Sequence, residues 1–134
     1  MVINKALTVD GNGSTISGAD AARIFQLNAN NINIKNTTFT NGYSNVTKST
    51  PLDFIYWGGA IYSNGAYKGH VISDCKFYNN TAYNGGAIYL AGDNSVVTGC
   101  EFEDNNANAS GGAVFVNGWA DTISDSTFKS NMAN

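Results

Sequence analysis

Apolar residues come in short bursts of about four at most, such as Ala113 to Val116, and polar turn-forming residues separate them throughout the chain. The bursts recur. Aligned on phenylalanine they read Asn36-Thr-Thr-Phe39, Asp74-Cys-Lys-Phe77, Gly99-Cys-Glu-Phe102 and Asp125-Ser-Thr-Phe128, at intervals of 38, 25 and 26 residues. A second block, Gly58-Gly-Ala-Ile61, Gly85-Gly-Ala-Ile88 and Gly111-Gly-Ala-Val114, interleaves with the first, and Ala22-Arg-Ile24 is read as its degenerate first copy. Both series give a period near 26 residues, with one insertion over residues 43 to 57.

Each period holds short segments rich in β-branched and aromatic residues, bounded by Asn, Gly, Asp and Ser, which is strand and turn chemistry. Within the phenylalanine block an aliphatic residue (Ile34, Ile72, Val97, Ile123) stands five positions before the ring. A straight strand would put residues at that odd separation on opposite faces. Asn36, Asp74, Gly99 and Asp125, between them, are types that tolerate a left-handed backbone, so a corner there turns both columns inward, together with the small residues Thr37, Cys75, Cys100 and Ser126. A unit of this kind buries its apolar side only by stacking on copies of itself. The expectation is an all-β, right-handed, single-stranded parallel β-helix of four to five rungs, with rungs about 4.8 Å apart. The opening Thr8-Val-Asp-Gly-Asn-Gly-Ser-Thr-Ile-Ser17 reads as two strands of a partial first rung.

Composition narrows the class further. With 13% charged residues and few Leu, the chain is not a helical bundle, and 43% hydrophobic content with seven Phe, seven Tyr and two Trp is too rich for a disordered segment. The formal charge is −3 and the seven basic residues do not cluster, which excludes nucleic acid and anionic lipid as partners by electrostatics. No apolar run is long enough to insert in a membrane as a helix. Two cysteines form no disulfide scaffold and no Cys/His cluster has zinc spacing, so no metal or cofactor is expected. Cys75 and Cys100 fall in one column at a spacing compatible with a disulfide, while Thr37 and Ser126 in the same column say that the position asks for a small inward side chain, and the reduced form is preferred.

The pairing of Gly-Gly-Ala-Ile/Val with Phe-x-x-Asn (Phe77 to Asn80, Phe102 to Asn105, Phe128 to Asn131) resembles the repeats of chlamydial polymorphic outer-membrane proteins. The Thr8-Val-Asp-Gly-Asn-Gly13 opening and Asn41-Gly-Tyr43 make the chain more similar still to the adhesin-like surface proteins of methanogenic archaea. This resemblance implies an extracellular, cell-surface β-helix used in adhesion, as a segment of a larger protein. The first rung departs from the pattern, with Gly42 where the others carry Asn. Asn131-Met-Ala-Asn134 repeats the Asn-x-Ala that precedes each double glycine and then stops, consistent with a segment of a longer solenoid.

Parallel β-helices include polysaccharide lyases and hydrolases, and a hydrolase needs two carboxylates flanking the scissile bond. The best pair is Asp74 and Asp125, two rungs apart in one column, about 10 Å at the backbone. Asn36 and Gly99 share that column, so the position is read as a turn and not as a catalytic site. Arg23 and His70 have no repeat-related partners and are read as surface or rung-end residues, and Lys76 with Glu101 as a cross-rung ion pair of small worth. Of the glycosylation acceptors Asn12, Asn36, Asn45, Asn79 and Asn108, Asn45 in the insertion is the most suited to modification.

In the double-glycine strand, Phe25, Tyr62, Tyr89 and Phe115 form one column. Arg23 on the same face orients it outward, giving an external aromatic ladder; the opposite orientation would make an internal stack. The insertion adds Tyr43, Phe54, Tyr56 and Trp57 around Pro51, and those aromatics either extend a binding surface or fold back over the ladder. The candidate ligand-binding set is therefore Phe25, Tyr62, Tyr89, Phe115, Tyr56 and Trp57. The expected function is non-catalytic binding of a cell-surface glycan or protein, against the alternatives of a carbohydrate-active enzyme fragment or a structural stalk spacer.

Overall fold

A computed structural model describes residues 1–44 and 53–134, with the side chains of Asp53 and Phe54 also outside the description. The strands arrange as five rungs. They are β1 (Val2–Ile3), β2 (Thr8–Asp10) and β3 (Thr15–Ser17); then β4 (Phe25–Leu27), β5 (Asn33–Lys35) and β6 (Thr38–Thr40). The third rung holds β7 (Ile61–Ser63), β8 (Val71–Ser73), β9 (Lys76–Tyr78) and β10 (Thr81–Asn84), and the fourth β11 (Ile88–Leu90), β12 (Val96–Thr98), β13 (Glu101–Glu103) and β14 (Asn106–Ser110). β15 (Val114–Val116), β16 (Thr122–Ser124), β17 (Thr127–Lys129) and β18 (Met132–Ala133) make the fifth. Among the described residues every pairing is parallel and joins successive rungs, giving three five-stranded sheets and one three-stranded sheet around a lumen. This is the parallel β-helix that the repeat predicts. The repeat does not predict the sheet of β10, β14 and β18, because its strands (Thr-Ala-Tyr-Asn, Asn-Ala-Asn-Ala-Ser, Met-Ala) carry no alternating pattern of large apolar residues; Ala82 and Ala107 are its buried residues.

The two apolar columns fall in the expected register, Ile34, Ile72, Val97 and Ile123 in one and Phe39, Phe77, Phe102 and Phe128 in the other. The four rings stack face to face at centroid separations of 5.1, 4.8 and 4.8 Å, close to the strand spacing. The corner between the columns is left-handed in every rung, with φ of 51° at Asn36, 50° at Asp74, 62° at Gly99 and 48° at Asp125. Just after it, each small inward residue donates to the carbonyl two positions earlier: Thr37 Oγ1 to Lys35 at 2.9 Å, Cys75 Sγ to Ser73 at 3.1 Å, Cys100 Sγ to Thr98 at 3.3 Å and Ser126 Oγ to Ser124 at 2.8 Å. A small side chain bearing a donor is what this column selects, and a free thiol fits as well as a hydroxyl. Both cysteines are free. Lys76 and Glu101 pair across rungs at 3.4 Å, both exposed, which adds little.

At the next corner the Asn of the Phe-x-x-Asn motif forms a buried ladder. Asn80 Nδ2 donates to Phe39 O and to Asn105 Oδ1, and Asn105 Nδ2 donates to Phe77 O and to Asn131 Oδ1. Backbone N–H groups of Asn80 and Asn105 donate to the same acceptors in the rung ahead. The ladder starts at Gly42, whose N–H donates to Asn80 Oδ1 at 2.8 Å; a Cβ there would run into the Gly59 carbonyl, which explains the departure from Asn.

One register differs from the sequence reading. Phe25 pairs with Ile61, and Gln26 pairs with Tyr62, so the first copy of the double-glycine strand is displaced by one residue. A one-residue slip reverses the faces, and Phe25 packs in the lumen, 3% exposed and edge-on to Phe39 at 5.4 Å. Arg23 and His70 are likewise not surface or rung-end residues: Arg23 is partly buried, and His70 is fully buried in the lumen.

Phe102, in mid-stack, bears on Phe77 and Phe128 on either side. Phe102→Ala should lower unfolding free energy by about 3–5 kcal/mol in denaturant titration through the cavity it leaves; a loss under about 1 kcal/mol would mean the column is not core.

Candidate functional site

Alternation along β7, β11 and β15 sends Ile61, Ile88 and Leu90 into the lumen and Tyr62, Tyr89 and Phe115 to the outer face, in register from rung to rung. The outward reading of this column holds for those three rings. Tyr89 and Phe115 stack at 5.0 Å and 3°, and Tyr62 lies 5.8 Å from Tyr89 at 37°. Gln26 occupies the place assigned to Phe25, and its Nε2 donates to Asn28 Oδ1.

The column is roofed rather than open. Trp57 enters the third rung just before the double glycine, and its indole stacks on Tyr89 at 4.4 Å and 13°, with Tyr62 6.2 Å away. Tyr62 and Tyr89 are left 3% and 4% exposed. Arg23 holds this arrangement from the second rung. Its Nε donates to the carbonyls of Trp57 and Gly58 at 3.1 and 3.0 Å, its Nη2 donates to Trp57 O at 2.7 Å, and its guanidinium lies 4.6 Å from the Tyr62 ring centroid. Burial lowers the Arg23 pKa to about 10, partly opposed by the Tyr62 phenol, so the group stays a cation at neutral pH and its attraction to the ring persists in a partly desolvated setting. Gly58, like Gly85 and Gly111, has φ above 60°, and a Cβ there would clash with the Ile61 carbonyl; the glycine turns the chain sharply enough to lay Trp57 over the sheet.

The remaining candidates are placed as follows. Tyr56 ends a short 3-10 helix (Asp53–Tyr56), is fully buried and meets Tyr83 edge-on at 6.5 Å, so it is not a surface contact. Phe115 is half-buried, and the Trp57 indole N–H is buried with no hydrogen-bond partner. Trp119, which the sequence reading did not single out, is 83% exposed beyond β15. Pro51 and Asn45, and the side chain of Phe54, lie outside the described residues. Asp74 and Asp125 are both exposed corner residues. Asp74 lines a polar cleft of about 620 Å³ with Asn12, Asn36, Thr38 and Lys76; Asp125 does not line it. The strand registers place both carboxylates in one corner column, two rungs apart with Gly99 between them. Among the described residues no group of three His, Cys, Asp or Glu is placed to hold a metal ion.

A coil of parallel rungs with a lumen of stacked apolar columns and an aromatic outer face defines the class. Residues 2–134 match the family described as right handed beta helix region, and the chain belongs to that family; its coil is right-handed. No curated protein and no solved structure matches the chain.

Directly beneath the aromatic strands, His70 Nε2 shares a 2.9 Å hydrogen bond with Ser63 Oγ, while Nδ1 has no partner of hydrogen-bonding geometry. Burial pushes the imidazole below its usual value of 6.5, and the nearby Tyr67 carbonyl offsets only part of this. The unfolded chain therefore takes up a proton at a pH where the folded one does not. The stability linked to neutral His70 is complete above pH 6.5 and is lost as pH falls toward the lower folded value. His70 is the sole histidine. Below about pH 6.5 the unfolding free energy should fall on acidification, and His70→Ile, which copies Ile32 in that column, should flatten this slope; an unchanged slope in the variant would assign it elsewhere.

Proposed function

We propose that this chain is a non-catalytic, extracellular surface-display module that binds an extended glycan, or a protein presenting a similar apolar face, along the outer edge of the aromatic column. The observation that carries the reading is the ring stack itself: Trp57, Tyr89 and Phe115 stand outside the lumen, and the stack ends at half-buried Phe115. Sugar rings present C–H faces that pack on such rings. The roof restricts the contact to the rim of the stack, Trp57 and Phe115, and takes Phe25 and Tyr56 out of the candidate set. The resemblance of the repeats to archaeal adhesin-like and chlamydial surface proteins supports the same reading and the cell-surface location. The family's fold occurs in adhesins, carbohydrate-active enzymes and stalks; against the enzyme alternative stands the reading of the Asp74 and Asp125 column as a left-handed corner that Asn36 and Gly99 also fill. Affinity per module is expected to be weak and to rise with multivalent display.

Phe115→Ala should weaken binding on a glycan array or to target cells about tenfold, the scale of one stacking contact, with thermal stability close to that of the parent. Equal binding by the folded variant would remove the stack as the site. Asp125→Asn keeps a residue that tolerates the left-handed corner, so folding and any polysaccharide turnover should be unchanged. A selective loss of cleavage in that variant would instead establish the enzyme reading.

A further inference from the structure

Five asparagines stand directly before a glycine: Asn12, Asn41, Asn64, Asn84 and Asn117. The backbone nitrogen of such a glycine can attack the asparagine side-chain amide, because no Cβ obstructs the five-membered ring that the attack closes. The attack requires the glycine N–H to yield its proton to solvent base, and an N–H that donates to a protein acceptor is withheld from solvent, as in hydrogen exchange. The fold sorts the five sites on this ground. Gly13 N–H donates to Asn36 O at 2.7 Å, Gly42 N–H to Asn80 Oδ1 at 2.8 Å and Gly85 N–H to Ser110 O at 2.9 Å. Each of these bonds ties one rung to the next. Among the described residues the N–H groups of Gly65 and Gly118 have no acceptor. Gly118 is closely packed, since a Cβ there would stand 2.4 Å from the Gly92 carbonyl oxygen and 2.6 Å from an Asp121 carboxylate oxygen. Gly65 is exposed, and a Cβ there would meet only Ala91 O at 3.6 Å.

We propose that Asn64 is a site of spontaneous covalent modification, at which the side-chain amide condenses with Gly65 N to a succinimide that water then opens. The turn is set up for it. Asn64 Oδ1 accepts from Ala66 N–H at 2.9 Å, an Asx turn whose closed ring of atoms runs through Gly65 N and keeps the side-chain amide folded back along the chain. The same N–H steadies the negative charge that Oδ1 gathers when its carbon is attacked. Gly65 N gives its proton to solvent base and bonds to Asn64 Cγ; the Cγ–Nδ2 bond breaks, and Nδ2 takes up a proton and leaves as ammonia. Water adds to either ring carbonyl and breaks that carbonyl's bond to nitrogen, which leaves an α-linked or a β-linked aspartyl residue. One water is consumed and one ammonia released, with no oxidant and no enzyme. The product adds one negative charge to a chain of formal charge −3, and the β-linked form lengthens the backbone between β7 and buried His70. The charge of the protein therefore records its age.

Peptide mass mapping of the folded protein, aged in mildly alkaline buffer, follows all five sites at once, each conversion adding about 1 Da. Asn64 should convert about tenfold or more ahead of the other four, and faster as pH rises. In denaturant, where the bonds between rungs are gone, the five should convert at roughly equal rates. Gly65 is not left-handed and has room for a Cβ, so Gly65→Ala should fold and should slow conversion at Asn64 about tenfold by hindering ring closure. A folded protein in which Asn64 does not lead overturns the proposal. So does a lead that persists in denaturant, which would make it a property of the local sequence and not of the fold. An unchanged rate at Asn64 in folded Gly65→Ala overturns it as well, because ammonia would then be lost by direct hydrolysis and not through the ring.

Discussion

Parallel pairing of each rung with the next, at the fixed spacing of a β-sheet, is the constraint from which the rest follows. It places residues one period apart directly above each other, so each side chain must pack against its counterparts in the rungs on either side. Flat rings satisfy this by stacking, as Phe39, Phe77, Phe102 and Phe128 do at about the strand spacing. A primary amide satisfies it by being both donor and acceptor along the column, as Asn80 and Asn105 are. Buried in this way, each amide also ties down the carbonyl of the phenylalanine one rung back, so apolar column and corner hold each other.

The same rule limits what the outside can do. Because outward residues are also in register, like side chains on the surface of this scaffold line up as stripes. The aromatic stripe is the example, and the insertion ahead of the third rung modifies it by laying Trp57 across two of its rings. Arg23 fixes that roof by hydrogen bonds to backbone carbonyls, which hold Trp57 in place whatever its side chain contacts. What remains at the rim is a short apolar edge suited to weak, repeated contacts.

The lumen was legible in the sequence because its columns are repeated and chemically narrow: Phe, β-branched aliphatics, and a corner filled only by Asn, Asp or Gly. Even the Thr/Cys/Cys/Ser column was readable as a demand for smallness, though its hydrogen bond to the carbonyl two residues back was not. Legibility failed where a copy lost its marker. Ala22-Arg23-Ile24 lacks the double glycine, and with Ile24 and Phe25 both apolar, either could be set opposite Ile61; the structure chose Phe25 because its ring meets Phe39. The fourth sheet was hidden because its buried positions, Ala82 and Ala107, carry only alanine and so give no pattern of large apolar residues. The roof was hidden because where an insertion returns to the scaffold is decided by contacts distant in sequence, such as those of Arg23 with Trp57.

If register-locked columns hold the molecule together, stability should be greatest where a rung has neighbours on both sides and should fall toward the ends. Residue-resolved hydrogen exchange, following the backbone amides together with the side-chain amides of Asn80 and Asn105, tests this directly. The account predicts the slowest exchange in the third and fourth rungs, with the two asparagine side-chain amides protected alongside Phe77 and Phe102, and faster exchange in the fifth rung. Asparagine side-chain amides that exchange at solvent rates within a protected backbone would contradict it.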